Sequence, residues 1–176
     1  VQTLQSVDNE GAVTFRKPVR EDGAAIFELI RSCKPLDENS MYCNLLQSDH
    51  FSDTCVVAEK DGDIVGWVSA YVKQNDPETV FVWQVAVSEK ARGLGVGGRM
   101  LSSLMEREEC ADVKRMQTTI TLDNDASWGL FRKFASRNNA DLTSDAHFTR
   151  DTHFAGEHAT EHMVTITFRD AVQSAA

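Results

Sequence analysis

A chain of 176 residues with a formal net charge of −9 and a pI near 5.0 is sized for one domain with a full core. Its sign is wrong for nucleic acid or an anionic membrane surface, and an acidic surface instead suits solubility or a small cationic substrate. No apolar run reaches the ~18 residues of a membrane span and no signal peptide is visible, so the expectation is a cytoplasmic protein. Cys33, Cys43, Cys55 and Cys110 show no CxxC spacing and read as small hydrophobes of a reduced chain, neither zinc ligands nor a disulfide frame.

Val1 to Ala12 is polar and aperiodic and reads as a disordered lead-in, residues 13–170 as one domain, and 171–176 as a tail. Val13 to Val19 alternates as a first strand that ends at Pro18. Asp22 is placed to cap a helix with Ala25, Ile26, Leu29 and Ile30 on its apolar side, closing near Cys33 before Pro35. A polar turn from Leu36 then feeds a short helix with Met41, Leu45 and Leu46 inward. Thr54–Glu59 and Ile64–Lys73 read as strands joined by a hairpin at Lys60-Asp61-Gly62-Asp63. After a loop around Pro77, Phe81 to Val87 is a strand of alternating bulky residues, followed by glycines and a helix from Val96 to Glu109. Arg115–Leu122 is a further strand. Asp123 to Ser127 opens a helix with Trp128, Leu130, Phe131 and Phe134 on its apolar side, ended by Asn138-Asn139. Asp141–Phe148 and Met163–Phe168 form a late strand pair around the polar loop Thr149 to Glu161.

The strand, glycine turn and helix start at Phe81 to Leu101 form an anion-holding arrangement, because glycines admit positive φ and a helix N-terminus offers free N–H groups. A Walker loop fails, since Gly97 is followed by Gly98 and Arg99 where Lys-Ser/Thr is needed. Gly93, Gly95 and Gly98 spell GxGxxG, but Ser88 to Arg92 separates them from the strand and no acid ends the next strand before Asp123. An ordinary glycine-rich turn is the bland alternative.

The remaining pattern, Arg92-x-x-Gly95-x-Gly97 after Val85-Ala86-Val87, resembles the acetyl-CoA pyrophosphate loop of the GCN5-related N-acetyltransferases, and the element order β-α-α-β-β-β-α-β-α-β-β is that family's. The resemblance implies an α/β (α+β) fold, with a mixed, mostly antiparallel sheet flanked by helices and splayed at its central strands. It also implies acetyl-CoA as cosubstrate, no metal, and a homodimer, for which the late strands offer a surface. Backbone at Val85, Ala86 and Val87 would pair with the pantetheine arm. Amides along Arg92, Gly93, Leu94, Gly95, Val96 and Gly97 would hold the pyrophosphate, and an N–H near Val85 the developing oxyanion. Asn124 sits where the family often bonds the pantetheine amide, and a helix cap is its equal alternative. Phe131 falls where the family usually carries a tyrosine acid, so either the thiolate, with a pKa near ~8.5, leaves unassisted or Tyr42 assists. Gln84 replaces a frequent glutamate base.

A closer resemblance is carried by Leu36-Asp37-x-Asn39-Ser40-x-Tyr42, His50-Phe51-x-x-Thr54-Cys55-x-Val57-Ala58, Phe81 to Val87, and His158-x-x-Glu161. These are similar to the diaminobutyrate acetyltransferases of ectoine synthesis, which implies γ-acetylation of L-2,4-diaminobutyrate. Asp37, Asn39, Ser40, Tyr42, Trp83 and Glu161 are then the substrate-binding candidates, and His158, Glu161 and Trp83 the catalytic ones. Each has a plainer alternative: a cap for Asp37, a solvated loop for His158 and Glu161, core packing for Trp83. His153, His158 and His162 crowd one loop, where a metal site is a minor alternative because the loop offers neither a fixed secondary structure nor a cysteine partner. Other readings of the chain are an acetyltransferase for another small amine or a protein amine, and a non-catalytic acetyl-CoA-binding module.

Overall fold

In a computed structural model the described residues are 11–169, so most of the expected lead-in and the whole tail lie outside them. Strands β1 (Thr14–Arg16), β2 (Val56–Lys60), β3 (Asp63–Lys73), β4 (Asp76–Val87), β5 (Arg115–Thr121), β6 (Asp141–Phe148) and β7 (Glu161–Thr167) alternate with helices α1 (Gly23–Ser32), α2 (Met41–His50), α3 (Val96–Met105) and α4 (Asp125–Arg137). The strands form one sheet in the order β1-β2-β3-β4-β5-β7-β6. Among the described residues only β4 and β5 run parallel; every other pair is antiparallel. The element order and the mixed sheet expected from sequence are both present.

Each face of the sheet carries its own core. On one side α3 and α4 send Met100, Leu101, Leu104, Trp128, Phe131 and Phe134 onto Val56, Val68, Val82 and Ile120. On the other, Ile26, Leu29 and Ile30 of α1 pack on Val57, Trp67 and Ala86. Alternation along β2 to β4 divides these residues between the faces, as a period of two requires. The turn at Asp61-Gly62 has φ of 52° and 83°, the pair of positive values a tight two-residue hairpin needs.

Four local expectations are corrected. Asp22 precedes α1 without a side-chain cap; its carboxylate instead accepts from Arg16 Nη1 and Nη2 at 2.7 and 3.0 Å and from the Val19 N–H at 2.8 Å. A charge-assisted fork outcompetes a capping bond. Ala25 is exposed, outside the apolar face of α1. Helix α2 turns the opposite way from its apolar pattern: Asn44, Gln47 and Ser48 are buried, while Met41, Tyr42 and Leu45 are exposed. Its inner polar groups are partly satisfied locally, Asn44 Nδ2 donating to Gln47 Oε1 at 3.1 Å and Ser48 Oγ to Asn44 O at 2.8 Å. Finally, Pro77 lies inside β4, two residues before pairing with β5 starts at Thr79, so its missing N–H removes no ladder bond there.

Candidate active site

The site is made by strands that stop pairing. β4 and β5 are hydrogen-bonded only through Thr79–Phe81 opposite Arg115–Gln117. From Val82 and Thr118 onward they diverge, which leaves one edge of Val82 to Val87 without a neighbouring strand. The other edge of β4 stays on β3, but its register slips: Ser69 faces Gln84 and Ala70 faces Val82, so Trp83 is an extra residue without a partner. A β-bulge of this kind bends the strand and re-aims its side chains. Trp83 is half exposed, at 49%, and lines the cleft, so the packing alternative for this tryptophan does not hold.

The cleft has a volume of about 1220 Å³. One end is the glycine turn. Gly93 and Gly95 have φ of 80° and 68°, conformations that glycine adopts without strain. Gly95 is the residue before α3, and the first intrahelical bond runs from Arg99 N to Gly95 O at 3.1 Å. The N–H groups of Val96, Gly97 and Gly98 therefore have no carbonyl within the helix. At Gly97 a Cβ would lie 3.2 Å from Leu130 Cδ1, so the close approach of α3 to α4 needs a small residue there. Arg92, Arg99, Lys133 and Arg137 also line this end, and the donor set fits a polyphosphate.

The opposite end gathers Asp37, Asn39, Trp83, Gln84, His158 and Glu161. Glu161 is not in a loop. It opens β7, opposite Thr121 at the end of β5, and so sits on the far wall of the splay. One carboxylate oxygen, Oε2, is buried without a hydrogen-bond partner. Burial pushes the Glu161 carboxyl above the ordinary glutamate range, with Asp37 adding to the rise, while His158, Thr119 and His162 oppose it. His158 Nδ1 lies 2.7 Å from the carbonyl of Ala159. A carbonyl only accepts, so Nδ1 carries a proton and donates it there, which leaves Nε2 for other partners. That Nε2 lies 4.0 Å from Asp37 Oδ2. The ring centre lies 4.7 Å from that of Phe154, the two planes tilted by 44°, and Phe154 packs on Phe148, so the late loop carries its own small aromatic cluster.

Comparison with known proteins agrees with this geometry. The acetyltransferase (GNAT) family model matches residues 23–135. The L-2,4-diaminobutyric acid acetyltransferase of Halomonas elongata is 51% identical over 162 residues, 91% of this chain and 84% of that protein. That of Vibrio cholerae is 48% identical over 158 residues, covering 89% and 91%. The chain belongs to the GNAT acetyltransferase family. Among solved structures, the diaminobutyrate acetyltransferase EctA from Paenibacillus lautus, in complex with L-2,4-diaminobutyric acid and coenzyme A, aligns with a TM-score of 0.86 at 38% identity, covering 92% of this chain and 99% of that one. Ard1 from Thermoplasma volcanium, at a TM-score of 0.69 and 15% identity over 90% and 99% of the two chains, shares the fold.

Among the residues singled out in this GNAT chain, Val85, Val87, Arg92, Gly93, Gly95, Val96, Gly97 and Asn124 line the cleft beside Asp37, Asn39, Trp83, His158 and Glu161. Ala86 points into the α1 core. Leu94 is half exposed and does not line the cleft. Ser40 caps α2, its hydroxyl accepting from Cys43 N at 3.1 Å, and Tyr42 is 69% exposed; neither lines the cleft. Asn124 caps α4, accepting from Ser127 N at 3.1 Å, which leaves its NH₂ group available to a ligand. Phe131 is buried in the α4 core and borders the cleft. Thr118, Thr119 and Thr121 on β5, and Lys133 and Arg137 four residues apart on α4, line it unanticipated. The threonines alternate like any strand, and only the basic pair on one helical face was a usable signal. Among the described residues no group of three or more His, Cys, Asp or Glu comes together to hold a metal ion, and no helix is long and apolar enough to cross a membrane.

Proposed function

We propose that this chain transfers the acetyl group of acetyl-CoA to the γ-amine of L-2,4-diaminobutyrate; the relatives' names give diaminobutyric acid as the molecule they acetylate. The observation that carries the reading is a single cleft with two chemically distinct ends. The glycine turn and its basic rim suit the CoA phosphates, and two carboxylates with a histidine suit a substrate bearing ammonium groups. The free edge of β4 supplies backbone donors and acceptors for the pantetheine arm, and the bulge at Trp83 turns the strand toward the thioester carbonyl, where an N–H near Val85 holds the oxyanion.

The nucleophile must arrive neutral. An alkylammonium with a pKa near ~10.4 pays about 4.6 kcal/mol to lose its proton at pH 7, so a base beside the amine accounts for a large part of the rate. Glu161 takes that role, with His158 passing the proton outward and Asp37 orienting the diamino acid. The neutral amine attacks the carbonyl carbon, the C–S bond breaks, the thiolate departs without a protein acid, and the nitrogen releases its second proton to water as the amide forms.

Residues 13–170 make up one acetyltransferase unit. The turned-out face of α2, with Met41, Tyr42 and Leu45 exposed beside Phe51 (43% exposed), suits a second copy of the chain, so we assign a homodimer. The free cysteines suit a cytoplasmic location. No nucleic-acid or membrane partner enters this reading. The test is thiol release from acetyl-CoA with diaminobutyrate, ornithine, lysine and a protein mixture. Preference for diaminobutyrate is expected; preference for protein amines, or binding without turnover, overturns the assignment.

A further inference from the structure

Gln84 stands where many relatives in this fold place a glutamate base, and an amide cannot remove a proton. Its surroundings give it another task. Gln84 Nε2 donates to the main-chain carbonyl of Asp37 at 2.9 Å, and Gln84 Oε1 accepts from Asn39 Nδ2 at 3.2 Å. The orientation of both amides follows from this pair of bonds. The Asp37 carbonyl only accepts, so the Gln84 nitrogen must face it; the Gln84 oxygen is then left for Asn39, which must present its nitrogen. Asn39 Oδ1 is thereby uncommitted, in a residue that lines the same end of the cleft as Trp83 and Glu161.

We propose that Gln84 is the positioning residue of the amine pocket: its side-chain amide fastens the Asp37–Asn39 segment to β4 and holds Asn39 with its carbonyl oxygen free for a substrate ammonium. A glutamate could not do this. Its carboxylate would meet the Asp37 carbonyl oxygen with no hydrogen between them and would leave the segment unfastened. Its other side-chain ties lie at the surface, where Lys34 and Arg31 pair with Glu38 and His158 faces Asp37; Asp37 and Glu38 are exposed, and Asn39 is half-buried. The same clamp explains why a family position available for base catalysis holds an amide. In this reading the base stands across the splay, on β7, and β4 supplies the floor to which the binding segment is fixed. The inference rests on the diamino acid reading of this end of the cleft.

The experiment is steady-state kinetics of the full chain with acetyl-CoA and diaminobutyrate for Gln84→Met, Gln84→Glu, Asn39→Ala and the Gln84→Met/Asn39→Ala double variant. The clamp predicts that Gln84→Met raises KM for diaminobutyrate roughly tenfold, the scale of one lost amide–carbonyl bond, and moves KM for acetyl-CoA less than about twofold. Gln84→Glu shows the same split without a gain in kcat. The double variant is no worse than the more impaired single variant, because Gln84 acts through the segment that bears Asn39. Unchanged KM for diaminobutyrate in an active Gln84→Met, losses shared equally by both substrates, additive effects in the double variant, or a raised kcat in Gln84→Glu each overturns the clamp. Wild-type protein that binds acetyl-CoA but does not acetylate diaminobutyrate overturns the functional reading, and the clamp falls with it.

Discussion

The imidazole Nε2 of His158 faces the carboxylate of Asp37 at 4.0 Å, so the loop before β7 and the segment before α2 meet across one end of the cleft. The two partners differ in exposure, 38% for the His158 side chain and 90% for that of Asp37. A pair this open to solvent contributes little as an ion pair, and the proposed mechanism uses it for proton relay and substrate binding. Asp37→Asn should raise KM for diaminobutyrate by about fivefold with little change in kcat, the scale of one solvent-screened charge contact. His158→Ala should lower kcat by about 10²-fold with KM for acetyl-CoA unchanged, as loss of a proton-relay group does. Initial rates over both substrates separate the two effects.

Burial holds the Glu161 carboxyl above the ordinary value of 4.5, and in the proposed mechanism its ionisation sets the acid limb of the reaction. If Glu161 takes the proton from the bound ammonium, kcat/KM rises with unit slope through the Glu161 ionisation. It then levels until the amine itself titrates near ~10.4. In Glu161→Gln the plateau disappears, the rate climbs with unit slope throughout, and activity at neutral pH falls by about 10²-fold. A pH–rate series on both proteins checks this; a wild-type plateau in the variant removes Glu161 as base.

Phe131→Tyr restores the hydroxyl usual at this position in the family, on a ring that borders the cleft. Since a thiolate with a pKa near ~8.5 is a competent leaving group, kcat should rise less than about threefold. A gain of tenfold or more would mean that protonation of the departing sulfur limits turnover.

Far from the chemistry, Asp22 is held ionised by the Arg16 guanidinium, first through its hydrogen bonds, and by the Val19 N–H, against the opposing effect of burial. Its folded pKa lies below the ordinary 3.8, so its contribution to stability is full above that value and is lost as pH falls through the folded value. Asp22→Asn should lower unfolding free energy by about 1–2 kcal/mol at pH 7, the lower part of the range for a broken charged bond because Arg16 is partly exposed and keeps Glu59. Denaturant midpoints of the two proteins should converge as the pH falls below 3.8 and Asp22 takes up its proton.

What could be read from sequence was periodic or local. The strand at Phe81 to Val87, the glycines at 93, 95 and 97, and the Asp61-Gly62 turn announce themselves because each depends on near neighbours. The remainder depends on distant partners. The stripe of Met41 and Leu45 has helical spacing, yet spacing alone does not say which side faces the core, and α2 buries Asn44 and Gln47 instead. The bulge at Trp83 is a register slip against Ser69 and Ala70 and leaves no compositional mark. Gln84 looked like a missing base because its partners, Asp37 and Asn39, lie 47 and 45 positions earlier. Glu161 read as a loop residue because the end of β7 is defined by its pairing with Thr121.

The most direct measurement is NMR of the product formed by the wild-type protein from acetyl-CoA and L-2,4-diaminobutyrate. Rapid turnover with the acetyl group on the γ-nitrogen is expected. Acetylation of the α-nitrogen, or no product from protein that binds acetyl-CoA, would contradict it.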